Sequence, residues 1–311
     1  MKIKSAIDSH FKSDSVVTIG TFDGVHIGHQ KIINRLVKIA KKKTYQAVVL
    51  TFFPHPRMVL QKDSSLKLIN TIDEKSLLLE RFGVDHLVVK EFTTEFSRMS
   101  AHDFVRDVLI GKLQTKHIII GYDHHFGRNR AANIDDLREF GSIFEFDVTE
   151  ISAQEVNEVA VSSTKIRTAL IEGDLKVANK YLGYDFMLTG TVVKGKGIGK
   201  KLDFPTANLH IEEPYKLIPK NGVYVVRSQY NGNTIFGMMN IGTNPTFNDG
   251  KVQFIEINFF DFNDDLYGKK LQIDMLQRLR DEQKFESVDD LKEQLKKDRQ
   301  MALSFIKDHN D

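Results

Sequence analysis

Through the first half of the chain, apolar runs of strand length recur at Val16–Ile19, Ala47–Phe52, His86–Val89 and His117–Ile120. They are continuous rather than alternating, the pattern of strands buried on both faces of a sheet. Between them apolar residues return at helical spacing, as in Ile32, Ile33, Leu36, Val37 and Ala40. Ser100 with Asp103 predicts a capping box opening a further helix, and Gly111 stands where a helix-ending glycine belongs. Strand alternating with helix predicts an α/β domain built on a doubly wound parallel sheet.

After residue 184 the period changes. Short strand-like stretches follow at Thr189–Val193, Gly222–Ser228, Thr234–Met239, Gln253–Phe260 and Leu271–Leu279. Asn231-Gly232 is a hairpin signal between two of them, and Asn221-Gly222 and Asp249-Gly250 mark further turns. The prediction is a small antiparallel β-barrel. Ser287 and Asp290 form a capping-box start, after which Val288, Leu291, Leu295, Ala302 and Phe305 supply an apolar stripe. One amphipathic C-terminal helix is therefore expected to close the barrel. The change of period near Leu182–Asp185 is the only boundary mark, and it divides the chain into domains 1–183 and 184–311.

Composition adds exclusions. Two domains suit 311 residues, and 41% hydrophobic with 28% charged residues is an ordinary globular balance. A formal charge of +2 from 44 basic and 42 acidic residues gives no general attraction to nucleic acid. Lys41–Lys43 then reads as the solvated end of a helix, where cations suit the dipole. No run approaches the roughly 20 apolar residues of a membrane span, and the opening segment has no apolar stretch, so neither membrane insertion nor export is expected. Without any cysteine the chain has no disulfide, thiolate nucleophile or Cys-ligated zinc, which fits the cytosol.

Candidate chemistry begins where the first strand runs into Gly20–His29, just before a helical pattern. A glycine-rich turn at a helix N-terminus offers free N–H groups and a positive dipole end to phosphate. Two isolated histidines would read as surface residues. Here His26 and His29 stand at the end of the first strand, where open α/β sheets bind ligands, and Gly28 lets a nucleotide approach the backbone. The turn matches neither a Walker A loop nor a G-x-G-x-x-G fingerprint.

The block Gly20-Thr21-Phe22-Asp23-Gly24-Val25-His26-Ile27-Gly28-His29 resembles the signature of the nucleotidylyltransferase superfamily, in its FAD synthetase branch. Phe53–Pro56, Gly121–Gly127 and Ser162–Arg167 are similar to later motifs of that branch, in the same order. In-line attack on the α-phosphorus of ATP builds charge on oxygens that cationic or hydrogen-bonding groups must stabilise. The resemblance implies His26 and His29 as catalytic groups, Gly20, Phe22, Gly28, Ser163, Thr164 and Arg167 on ATP, and His55 and Asp123 on flavin. His124 and His125 depart from the aromatic and basic or polar residues expected there. They have no carboxylate or histidine at ligand spacing to make a metal site.

In the second half, Gly195–Asn208 is too glycine-rich for a buried strand and suits a loop covering phosphate. Gly190–Lys196 fits the spacing of a Walker A loop, but Gly197 replaces its Ser or Thr and no helix follows. The stretch resembles instead the riboflavin kinase signature ending in P-T-A-N, here Pro205–Asn208, with Asp203 at a place expected to be glycine. That implies Gly195, Gly197 and Gly199 against ATP, and Thr206 and Asn208 holding Mg²⁺–ATP through oxygen ligands suited to a hard cation.

Glu256 sits polar between Ile255 and Ile257, and by pattern alone it is a strand glutamate facing solvent. The following Asp264–Lys269 is similar to the kinase D-L-Y-G segment, and that resemblance implies Glu256 as the base for riboflavin's 5′-hydroxyl. Asn240–Phe247 and Arg280–Phe285 also match, the latter implying flavin contacts by Arg280 and Glu282. Riboflavin, FMN, FAD and ATP are the expected ligands. The alternatives are another nucleotidylyltransferase or a class I aminoacyl-tRNA synthetase, which the second-half motifs disfavour, and a flavin-binding regulator without turnover.

Overall fold

The computed structural model describes residues 2–4, 11–63, 65–122, 125–152, 161–195, 204–245 and 251–310. The chain forms two compact units, Met1–Ser163 and Thr164–Asp311.

The first unit is built on a six-stranded sheet with every neighbouring pair parallel. Its strands are β1 (Lys2–Lys4), β2 (Ser15–Ile19), β3 (Gln46–Phe53), β4 (His86–Glu91), β5 (Thr115–Gly121) and β6 (Asp147–Ile151), ordered β1-β4-β3-β2-β5-β6. The chain winds outward through β3 and β4, then returns to place β5 on the other side of β2. The order reverses at β2 and β5, so their carboxyl ends frame the crevice where such sheets take ligands.

Helix α1 (Ile27–Lys43) buries Ile33, Leu36, Val37 and Ala40, the stripe its spacing predicts. Fully burying each leucine or isoleucine contributes about 2 kcal/mol. Lys41, Lys42 and Lys43 occupy its last turn, where Lys43 pairs with Asp147. Short α2 (Pro56–Leu60) and α3 (Ile72–Arg81) follow β3, and α4 (Ala101–Asp103) runs on as the π-helical Phe104–Ile110 before β5. Ser100 caps α4 as expected, accepting from the Asp103 N–H at 3.0 Å. Gly111 is not the left-handed glycine that its place suggests. It stays right-handed because its N–H bonds the Arg106 carbonyl in the π pattern, and Gln114 (φ 50°) turns the chain instead. Helix α5 (Ile134–Phe144) precedes β6.

The second unit opens with α6 (Ser163–Glu172) and α7 (Leu175–Leu182), then a closed six-stranded barrel. Its strands are β7 (Met187–Val193), β8 (Ala207–His210), β9 (Gly222–Tyr230), β10 (Asn233–Pro245), β11 (Lys251–Phe259) and β12 (Lys270–Arg280), closing in the order β10-β11-β8-β7-β12-β9. Asn231 (φ 50°) and Gly232 (φ 82°) make the predicted hairpin turn between β9 and β10. Gly222 instead opens β9 without a hairpin, and Asp249-Gly250 lies outside the described residues.

Helix α8 (Val288–Asn310) packs Leu295, Ala302 and Phe305 against Val223, Val225, Met238 and Phe260. Val288, 59% exposed, does not join that stripe, since it lies in the first turn beside the Ser287 cap. Among the described residues no helix is long and apolar enough to cross a membrane.

Candidate active sites

The turn between β2 and α1 is bent into an uncommon shape. Phe22 (φ 45°), Gly24 (φ 85°) and Val25 (φ 38°) all take left-handed backbone, which is costly for a β-branched valine. Bonds from other elements hold it. The Asp23 carboxylate accepts from Ile69 N–H at 3.0 Å, Ser163 Oγ donates to the Asp23 carbonyl at 2.8 Å, and Lys75 Nζ donates to the Thr21 carbonyl at 2.7 Å.

His26 is the N-cap of α1, and its Nδ1 accepts from the His29 N–H at 3.4 Å. That acceptor role leaves the proton on Nε2. The two imidazoles stack with centroids 3.6 Å apart, and Phe22 meets His29 edge-on at 5.1 Å. A side chain at position 28 would press within 3.3 Å of the His26 ring, so the stack needs glycine there. Burial pushes the His26 imidazole down to about 4 against the pull of Asp23. Burial holds His29 well below its ordinary value as well, with His26 and Lys75 acting in the same direction. Both rings are neutral at pH 7. The first turn of α1 carries no acidic residue, so no side chain of that turn offsets the positive end of the helix.

Beside this turn lies a cleft of about 450 Å³ lined by Gly20, Phe52, His55, Phe92, Phe96 and His125, among others. Its aromatic wall is continuous, with Phe52, Phe92 and Phe96 meeting pairwise at 5.6–5.8 Å and Phe104 meeting Phe96 at 6.0 Å. His55 caps α2, its Nδ1 accepting from the Arg57 N–H at 3.1 Å. The phenylalanines carry no motif: Phe52 stands on β3, and Phe92, Phe96 and Phe104 lie far along the chain from it. Asp123 and His124 lie outside the described residues. Thr164 (exposed) and Arg167 (half-buried) sit in the first two turns of α6 in the other compact unit.

In the barrel, Glu256 is registered opposite Asn240 on one side and Asn208 on the other. Opposed residues in a ladder leave the same face, so Asn208, Glu256 and Asn240 form one polar row, while Ile255 and Ile257 are buried on the other face. Burial pushes the Glu256 carboxyl above the usual carboxylate range. Gly195 approaches the Asn208 amide so closely that a Cβ would overlap Nδ2 and fall 2.6 Å from Cγ. Thr206 is half-buried beside the start of β8, whereas Gly197 and Gly199 lie outside the described residues.

The segment after β12 is tied on both sides. Arg280 grips the fully buried Asp298 of α8 through Nε (2.9 Å) and Nη2 (2.7 Å), and its Nη1 donates to the Asp281 carbonyl. Asp298, silent in the sequence, is what holds Arg280 in place. Glu282 accepts from Asn221 Nδ2 at 3.0 Å and from the Thr243 N–H at 3.4 Å, joining the segment to β10.

Comparison with known proteins finds one family over each half of the chain. The FAD synthetase family matches residues 8–165 and the riboflavin kinase family residues 182–306. The bifunctional riboflavin kinase/FMN adenylyltransferase of Listeria monocytogenes is 39% identical over 294 residues, covering 94% of this chain and 93% of its own. That of Bacillus subtilis is 36% identical, covering 95% and 93%, and that of Escherichia coli 34%, covering 94% and 92%. A crystal structure described as a macrolide-efflux protein from Streptococcus pneumoniae superposes with a TM-score of 0.86 at 35% identity, covering 97% and 98%. Two consecutive family matches and relatives aligned over nearly the whole length mean that the chain belongs to the bifunctional riboflavin kinase/FMN adenylyltransferase family.

Proposed function

We propose that the Gly20–His29 turn carries adenylyl transfer to FMN, and the Asn208–Glu256 row carries phosphoryl transfer to riboflavin, with residues 1–183 and 184–311 as the respective catalytic domains. In the first reaction a phosphate oxygen of FMN attacks the α-phosphorus of ATP, and the bond to the pyrophosphate oxygen breaks. Neutral His26 and His29 offer N–H donors to the oxygens on which charge grows, beside the amides of the helix start. Phe22 and Gly20 leave room for the nucleotide, and Ser163, Thr164 and Arg167 hold its phosphates. The aromatic cleft with His55 takes the isoalloxazine ring, with Asp123 as a further flavin contact. The observation that carries this reading is the pair of neutral stacked imidazoles at a helix N-terminus whose first turn carries no acidic residue.

In the second reaction Glu256 takes the proton of the 5′-hydroxyl as that oxygen attacks the γ-phosphorus of ATP, releasing ADP. A carboxyl raised by burial is the stronger base. Thr206 and Asn208 present the oxygen donors that suit Mg²⁺, and Gly195 keeps the Asn208 amide oriented, so the residues fit that ion. When bound, it neutralises charge on the phosphate oxygens. Gly195, Gly197 and Gly199 cover those oxygens, Glu282 faces the flavin, and Arg280 fixes the segment that bears Glu282. Both reactions draw on ATP and the chain is free of cysteine, which supports a cytoplasmic location.

The test is chromatography of products from purified protein incubated with riboflavin, ATP and Mg²⁺. FMN appears first and FAD follows. Intact riboflavin after many hours, with ATP unspent, would refute the assignment.

A further inference from the structure

Lys75 is a lysine in the wrong environment for a lysine. It lies in the first turn of α3, only 3% exposed, although α3 is otherwise stabilised at that end by a complete Thr71–Glu74 capping box. Burying an ammonium is costly, and an aliphatic side chain would fill the space without that penalty. Burial lowers its pKa to about 8 despite the opposing pull of Asp23, so it is charged at neutral pH. Its ammonium meets the Thr21 carbonyl at 2.7 Å, and Thr51 Oγ1 donates to the same carbonyl oxygen at 3.1 Å. Thr21 immediately precedes the bent stretch Phe22–Val25 that leads into His26.

We propose that Lys75 is a positioning residue for adenylyl transfer, anchoring the Thr21 carbonyl so that the turn keeps its amides and both imidazoles aimed at phosphate. This rests on the assignment of that reaction to the Gly20–His29 turn. Two consequences separate it from a purely structural role. The first is geometric: loosening the carbonyl misdirects donors that must meet a transition state, and displacements near 1 Å cost on the order of 10²-fold. The second is electrostatic. The titratable groups facing His29 are His26 from its own helix start, Asp23 by way of His26 in the turn, and Lys75 from α3. Lys75 is among the groups that keep His29 from taking a proton. Without it, the ring charges at higher pH and ceases to be a neutral donor.

The experiment uses full-length enzyme with FMN and ATP supplied, and follows FAD formation from pH 5 to 8 in Lys75→Met, Lys75→Arg, Thr51→Val and His29→Ala. Riboflavin phosphorylation serves as the internal control. Lys75→Met is expected to lower kcat for FAD by roughly 10–100-fold with KM for FMN nearly unchanged. Its acid limb moves to higher pH, and Lys75→Arg returns that limb toward the wild-type position. Wild-type kcat and an unmoved limb in Lys75→Met would overturn the proposal. Should Lys75→Met fail to fold, Thr51→Val decides: a lowered kcat with intact kinase supports the anchored carbonyl, and wild-type kcat refutes it. FAD formation surviving in His29→Ala would instead remove the underlying site assignment, whatever Lys75 does.

Discussion

Asn208 on β8 and Glu256 on β11 are direct partners in an antiparallel ladder, so the amide and the half-buried carboxylate leave the barrel side by side. Changing Glu256 to Gln keeps the shape and removes the proton acceptor. FMN formation then falls on the order of 10²–10⁴-fold while supplied FMN still becomes FAD. Coupled-enzyme detection of ADP alongside chromatography of flavins measures both, and near-normal riboflavin phosphorylation would take Glu256 out of the chemistry.

His29→Ala makes the full-length enzyme stop at FMN. One preorganised donor aimed at growing charge is commonly worth roughly 10²–10³-fold in kcat. Time courses from riboflavin should show FMN accumulating with FAD nearly absent. Parallel loss of both flavins, with an unchanged circular dichroism spectrum, would contradict a two-site enzyme.

The neutral state of His26 is also a statement about stability. Its folded value lies near 4 against an ordinary 6.5, so between those limits the unfolded chain binds a proton that the folded one refuses. The stabilisation is whole above pH 6.5 and declines as pH falls toward 4, by about 3 kcal/mol at most. His26→Asn keeps an N-cap acceptor without a titrating ring. Urea unfolding at pH 7, 5 and 4 should show the variant losing less stability on acidification than the parent, and equal losses would count against a buried neutral ring.

Where the kinase fragment begins will matter. The Asn179 amide of α7 donates to the Met275 carbonyl at 2.9 Å and accepts from the Phe186 N–H at 2.9 Å, while Leu175 and Leu182 are buried. Fragments 164–311 and 184–311 should both phosphorylate riboflavin. The shorter loses, from α7 alone, two buried leucines at about 2 kcal/mol each, and is less stable by at least roughly 4 kcal/mol. Equal denaturation midpoints would show that α6 and α7 contribute nothing to the barrel.

The central strands β2 to β5 were legible because burial on both faces leaves a continuous apolar run that nothing else imitates. The edges were not. Three-residue β1, polar β6 and four-residue β8 owe their pairing to neighbours rather than to their own composition. The same divide runs through the sites. His26, His29, Asn208 and Glu256 sit in contiguous blocks whose chemistry can be read in order. Lys75 and Asp298 read as ordinary charges on solvated helix faces, since their burial depends on Thr21 and on Arg280, distant in sequence. The aromatic wall is hidden for a similar reason: its phenylalanines come from separate elements and meet only after the sheet forms.

The bent turn at Phe22, Gly24 and Val25 makes the proposed adenylylation site a tenant of the whole α/β domain. Its shape opposes local backbone preference and is held by Ile69, Ser163 and Lys75, which grip it from three other segments. Any weakening of those segments lets the turn relax before the sheet melts, because strained and locally anchored regions open first. Damage along that frame is therefore expected to slow FAD synthesis while the domain still looks native, so that a heated enzyme would stall at FMN before it unfolds.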